Sequence, residues 1–193
     1  MDHSLLLKEL QSKATFPNED FPAFLDLFEP LCLQKKEHLY RSGEVVKYAT
    51  FILKGCLRHY YINEEGIERI TILAEENWWI GDLVSFRHHT PTNLSLQAIE
   101  DSDLLLIKKN NFELALANFP GFYEYYNKGM QRTYTKLQEQ VGQSLADSAE
   151  TKYRRLLKER PSLIQRVPQH YIAAYLGLTP ETLSRVRKNI YTK

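Results

Sequence analysis

The residues whose types and spacing could do chemistry lie close to the C-terminal end. Glu181, Ser184, Arg185 and Lys188 recur at i, i+3, i+4 and i+7, so on a helix they share one side. A helix fits the major groove of duplex DNA, where Arg pairs with guanine O6 and N7 and Glu accepts from cytosine N4. Thr182, Arg187 and Lys188 stand where phosphates could be reached. Thr179 is a natural N-cap and Pro180 a natural first helical residue, so a helix is predicted to begin there, with Leu183, Val186 and Ile190 inside. Ahead of it, Ile172 and Leu176 share one face of a shorter helix, and Ala173 is small where the second helix must cross. Gly177 suits the positive φ that ends the first helix, and Leu178 plugs the corner. Gln169–Lys188 therefore reads as a helix-turn-helix.

Other chemistries find few residues. A metal-holding cupin needs a His-x-His pair on one strand face, whereas the adjacent His88 and His89 would point to opposite faces. No Ser/His/Asp arrangement, glycine-rich phosphate loop or Cys-x-x-Cys is present. Cys32 and Cys56 are too few for a disulfide scaffold or a four-thiolate metal site, and both read as small buried hydrophobes. His59, His88 and His89 read as structural or solvated rather than as haem ligands. The expectation is a protein with no catalytic residue, no metal and no cofactor, and not an enzyme.

Charge separates the ends of the chain. Of 25 Lys+Arg and 24 Asp+Glu among 193 residues, positions 1–146 hold 15 and 20, and positions 147–193 hold 10 and 4. An acidic body with a basic C-terminal piece implies that the latter meets a polyanion. The start of the chain has neither a basic region nor a long apolar one, and no apolar run is long enough to span a bilayer, so a cytoplasmic protein without membrane contact is expected.

The elements that must position the C-terminal motif are legible in outline. The first thirty residues, with Leu5, Leu6, Leu10, Phe21, Phe24, Leu25 and Phe28, predict two short amphipathic helices broken at Pro17 and Pro22. From about Glu37 to Lys108, short β-type runs (Tyr48–Leu53, Cys56–Ile62, Ile67–Leu73, Ser95–Ile99, Leu104–Ile107) alternate with turn residues, which predicts an antiparallel sandwich, jelly roll or barrel. Asn111–Asn118 and then roughly Phe122–Leu145 read as helices. In the longer one Tyr126, Met130, Thr133, Leu137 and Val141 step by three or four, and so narrow a stripe on a polar helix favours a dimer seam over a helix lying on the β-domain. Gly142–Asp147 is a plausible hinge, and a helix over Ser148–Glu159 is stopped by Pro161, leaving residues 162–168 for a β-turn.

A β-domain, a long helix and a terminal helix-turn-helix, in that order, resemble the cyclic-AMP receptor / fumarate–nitrate regulator (Crp/Fnr) family of bacterial transcription factors. The most specific element is Gly177-Leu178-Thr179-Pro180-Glu181-Thr182-Leu183-Ser184-Arg185, similar to the family's recognition-helix signature. The resemblance implies an α+β fold: an N-terminal antiparallel β jelly roll of the cyclic-nucleotide-binding type (1–120), a long dimerisation helix and hinge (121–146), and a helix-turn-helix DNA-binding domain (147–193). The family's base-reading Glu and Arg map onto Glu181 and Arg185. Pro180 stands where the cyclic-AMP branch has an Arg, which implies a different operator. Family geometry further implies a homodimer on a roughly palindromic site, with recognition helices in successive major grooves about 34 Å apart.

Trp79-Ile80-Gly81-Asp82-Leu83-Val84-Ser85-Phe86 looks like the family's phosphate-binding cassette, and Gly43 and Gly55 fall at jelly-roll turns. The resemblance then implies an effector pocket at Gly81, Asp82, Leu83, Thr92 and Asn93. Asp82 replaces the usual ribose-binding Glu, and Thr92 stands where the cyclic phosphate meets an Arg. Loss of that charge-assisted contact removes about 2–3 kcal/mol or more of anion affinity, so cyclic AMP bound in the usual way is not expected. The two cysteines also exclude the four-cysteine oxygen-sensing cluster of the iron–sulfur branch. Arg87-His88-His89 reads either as an exposed loop or as a substitute cation for another anionic effector, and Trp78 and Trp79 as packing residues. Expected partners are double-stranded DNA, a second copy of the chain, an unidentified small-molecule effector and RNA polymerase. A regulator that acts constitutively over a vestigial sensor is the other reading. The short tail after the recognition helix leaves no room for a wing, from which modest affinity and a small salt slope are expected.

Overall fold

Two short helices, α1 (Ser4–Gln11) and α2 (Phe21–Leu25), precede the first strand, β1 (Phe28–Leu33). The computed structural model describes residues 3–144 and 147–191, and the side chains at 136–137, 139–144 and 191 also lie outside the described residues. Phe28 thus opens a strand rather than closing the second helix. Pro30 concealed this, but β1 is an edge strand, where a missing ladder N–H does no harm.

The β-domain continues through β2 (His38–Tyr40), β3 (Tyr48–Lys54), β4 (Leu57–Ile62), β5 (Glu68–Ala74) and β6 (Trp79–Ile80). A short helix α3 (Leu83–His88) follows, then β7 (Ser95–Ala98) and β8 (Ser102–Lys108). Two four-stranded antiparallel sheets result, ordered β1-β8-β3-β6 and β2-β7-β4-β5. Leu104–Ile107 on β8 is buried on both faces, which explains its unbroken apolar run: one face meets the other sheet and the other meets helices. The β3–β4 turn requires glycine. Gly55 has φ +103°, and a Cβ there would lie 2.2 Å from the Ser102 hydroxyl.

Helices α4 (Lys109–Asn118) and α5 (Pro120–Ser144) close this domain, with Pro120 as the first residue of α5. Phe24 ties them to the N-terminal helices, its ring 5.0–5.3 Å from those of Phe16, Phe28, Phe119 and Phe122. Beyond the described break come α6 (Ala149–Glu159), α7 (Pro161–Arg166), α8 (Gln169–Leu176) and α9 (Pro180–Tyr191). The stretch expected as a β-turn is therefore a helix that starts on Pro161, a residue that stops one helix and begins the next. Of the expected hinge, positions 145–146 lie outside the described residues.

A second apolar core joins the two halves of the chain. Cys56, Tyr60, Ile70, Leu73 and Ile99 from the β-domain cluster with Tyr153, Leu156, Leu163, Ile172 and Leu183 from the C-terminal helices. Cys56 is buried as expected, whereas Cys32 is exposed because it sits on the outer face of edge strand β1.

Candidate nucleic-acid interface and sensor pocket

The turn between α8 and α9 forms as its residue types require. Gly177 adopts φ +70° and closes α8, and the Leu178 amide bonds back to the Ala173 carbonyl at 2.9 Å. Thr179 Oγ1 accepts from the Thr182 amide at 3.2 Å, which caps α9. Leu183 and Val186 are buried against α6 and α8. Glu181, Ser184, Arg185 and Lys188 consequently face outward and line one open surface with Pro180. The Glu181 carboxyl is held below its usual range by its own amide and the Thr179 hydroxyl, so it is charged and ready to accept hydrogen bonds.

Two residues of the motif sit less openly. Thr182 is half-buried beside its cap. Arg187, expected near phosphates, turns inward beside Tyr153, Ile164, Gln169, Ile172 and Leu183, and its Nε is buried without a hydrogen-bond partner. At i+6 from Glu181 it falls on the inner side of α9.

In the cassette, Asp82 is the N-cap of α3. Its Oδ1 accepts from the Val84 and Ser85 amides at 2.9 and 3.2 Å, and its Oδ2 accepts from the Thr92 hydroxyl at 2.7 Å. Burial pushes the Asp82 carboxyl up, but the Thr92 hydroxyl and the two amides outweigh it and hold the group below its ordinary value. Thr92 is 1% exposed. Its amide donates to the Glu44 carbonyl, its carbonyl accepts from Gly43, and its hydroxyl also accepts from the Leu94 amide. Ser85, equally buried, accepts from Val46 and donates to the Thr90 carbonyl. Gly81 and Leu83 flank Asp82 half-buried, whereas Asn93 is exposed and takes no part in this cluster.

Behind Asp82 lie Tyr40 and His59, which sequence reasoning did not place here. The Tyr40 hydroxyl and His59 Nε2 are hydrogen-bonded at 2.9 Å, and both residues are buried. Burial pushes the His59 imidazole down to about 4 and the Tyr40 phenol well up, so both are neutral near pH 7. Only the strand alternation around His59 carried a hint of them. Arg87 and His88 form the last turn of α3, with His89 as its left-handed cap, rather than a loop. Arg87 points away from Thr92: its guanidinium donates to the Tyr126 hydroxyl at 3.0 Å and lies over that ring at 5.7 Å. No cation therefore replaces the missing Arg from that direction.

Along α5, Tyr126 packs on Phe112 and Arg87, while Met130 and Thr133 are exposed. Tyr123 and Tyr134, 56% and 64% exposed, lie on the same side of the helix as Met130. The Leu137 and Val141 side chains lie outside the described residues. Among those described, no helix is long and apolar enough to cross a membrane, and no group of three His, Cys, Asp or Glu could hold a metal ion.

Residues 30–119 match the cyclic nucleotide-binding domain family. No curated protein sequence matches the chain. Its fold is shared with solved regulators at low identity. The c-di-GMP-responsive global regulator CLP of Xanthomonas campestris is 12% identical, with a TM-score of 0.72 over 91% of this chain and 92% of that one. FixK2 of Bradyrhizobium japonicum is 22% identical, with a TM-score of 0.64 over 86% and 85%. The catabolite activator protein of Thermus thermophilus is 18% identical, with a TM-score of 0.57 over 91% and 84%. Residues 30–119 are thus similar to the cyclic nucleotide-binding domain family, and the chain as a whole shares the α+β fold of these solved regulators.

Proposed function

We propose that the protein is a homodimeric, sequence-specific DNA-binding transcription regulator, not an enzyme, that sets α9 into the major groove of a palindromic operator. The observation that carries this reading is the open face of α9, where a carboxylate, a hydroxyl, a guanidinium and an ammonium share one side of a capped helix. Arg185 and Glu181 read base edges in it, and Thr179, Thr182, Ser184 and Lys188 contribute backbone or base-edge contacts. Exposed Tyr123, Met130 and Tyr134 support a second copy as the partner of α5. RNA polymerase is the further partner such a role implies.

Selection of bound sequences from random duplex DNA, with purified protein and no added ligand, tests the reading. A palindromic consensus is the expected result; no enrichment, with or without cell extract, would sink it.

The sensor domain does not take cyclic AMP by the usual cation contact. Thr92 offers no charge, and its hydroxyl and backbone are already engaged with Asp82, Leu94, Glu44 and Gly43. Calorimetry with cyclic AMP should give no saturable binding. The same closed network favours a second reading, a constitutive regulator over a vestigial sensor, and ligand-independent selection of a consensus is its expected signature.

A further inference from the structure

The C-terminal helices are clamped to the β-domain of their own chain by groups that the DNA-reading motif does not use. Arg166 on α7 donates from Nη1 and Nη2 to the two oxygens of Glu76, at 2.9 and 2.8 Å, and from Nε to Glu100 at 3.1 Å. Arg160, just ahead of α7, donates from Nη2 to Glu75 at 2.9 Å and stacks over Trp78 at 4.4 Å. Ser162 donates to the other Glu75 oxygen at 2.6 Å. At the far end of this contact, Arg58 of β4 lies between the rings of Tyr60 and Tyr171, 4.0 Å from each, with Tyr171 on α8. The shared apolar core fills the space between, with α8 packed on β5.

This cluster differs from ordinary surface pairs. The five charged side chains Glu75, Glu76, Glu100, Arg160 and Arg166 are only 13–32% exposed. Arg166 holds one carboxylate with two parallel bonds and a second with its remaining edge, the geometry that makes guanidinium–carboxylate contacts strong. Burial pushes the Glu76 carboxyl up, but Arg166 and the Gly55 amide outweigh it and hold it below its usual value. The docking covers none of the outward face of α9: Glu181, Ser184, Arg185 and Lys188 stay exposed with the clamp closed.

We infer that the docked arrangement is the DNA-binding state, and that Arg166 and Arg160 are positioning residues that hold α9 at the setting two half-sites require. This rests on the proposed role in DNA binding. A C-terminal unit swinging free on its linker would lose orientational freedom each time two copies met one palindrome, and a unit already docked has lost it beforehand. The clamp arginines are engaged with carboxylates and do not count toward the phosphate-binding charge of the basic C-terminal piece.

The test compares full-length protein with its Arg166→Gln and Glu100→Gln variants, all in a Cys32→Ser background, on the selected consensus duplex and on an unrelated duplex of equal length. Melting curves check that each variant is folded, and Glu100→Gln is the gentler change should Arg166→Gln unfold. Consensus affinity should fall about tenfold for Arg166→Gln and less for Glu100→Gln, with affinity for the unrelated duplex unchanged. Labelling of Cys56 provides a readout without DNA. This thiol is buried in the joint core beside the clamp, pushed up to about 12 by burial, and should react faster once the clamp is weakened.

Consensus affinity that stays the same or rises would overturn the inference, the latter by making the docked state the restrained one. An equal loss on both duplexes would overturn it too, making Arg166 a phosphate contact. If the parent protein preferred no duplex, the DNA-binding role and its docked state would both fall, whereas faster Cys56 labelling in the variants would still establish the clamp itself.

Discussion

Arg185 and His59 show how the surroundings of a basic side chain set what it can do. Arg185 stands exposed on α9, and Arg185→Ala should cost about 1–3 kcal/mol on the consensus and relax preference at one position per half-site, as read by competition binding on single-base variants. Equal weakening on every sequence would make it a phosphate contact instead. His59 is buried and neutral, its pKa depressed from 6.5 to about 4. The folded state thus disfavours protonation, so the stability His59 secures is complete above pH 6.5 and is lost as pH falls toward 4. The window corresponds to about 3 kcal/mol at most. In urea unfolding, the advantage of the natural chain over His59→Gln should shrink across that range. A constant difference between pH 7 and 4 would contradict the burial argument. Arg185 was legible because its offsets suffice; the position of His59 behind Asp82 was not, since strands distant in sequence bring them together.

At the scale of elements, the helix-turn-helix depends on two local devices, the positive φ of Gly177 and the Thr179 cap. Thr179→Ala should destabilise α9 by about 1 kcal/mol, visible as a lower melting temperature, with weakened DNA binding in proportion. Unchanged melting would mean that packing of Leu183 and Val186 alone holds the helix. These signals lie within a few residues of one another, which is why this pair of helices could be read directly. The strand beginning at Phe28 could not, because Pro30 argues against a strand unless its edge position is known. Helix α7 was hidden for a similar reason: Pro161 is a stop signal for α6 and a start signal for α7, and only the docking of Arg166 shows the second use.

The whole molecule brings three surfaces into one body: the outward face of α9, the exposed side of α5, and the closed cassette. Tyr134→Glu together with Met130→Glu should shift a dimer toward monomer in sedimentation experiments and abolish preference for palindromic over single half-sites. A sedimentation profile unaffected by both changes would mean that the exposed side of α5 is not the seam. Both side chains are exposed in the single chain, so the substitutions leave the folded protomer intact. The cassette is tied to α5 where Arg87 joins α3 to Tyr126.

What the amino-acid sequence determined by itself is whatever depends on near neighbours: the capped helix α9, the glycine turn, the succession of β-runs, and the absence of a cation at position 92. Periodicity and capping are local, so their energetics are written within a dozen residues. What only the tertiary structure decided is how distant charges pair. Glu75, Glu76 and Glu100 lie in the acidic body and Arg160 and Arg166 in the basic C-terminal piece, and nothing in their spacing along the chain pairs them. Their contact rests on the second core, in which neither half can bury its apolar face alone, and that core sets which arginines are engaged with carboxylates.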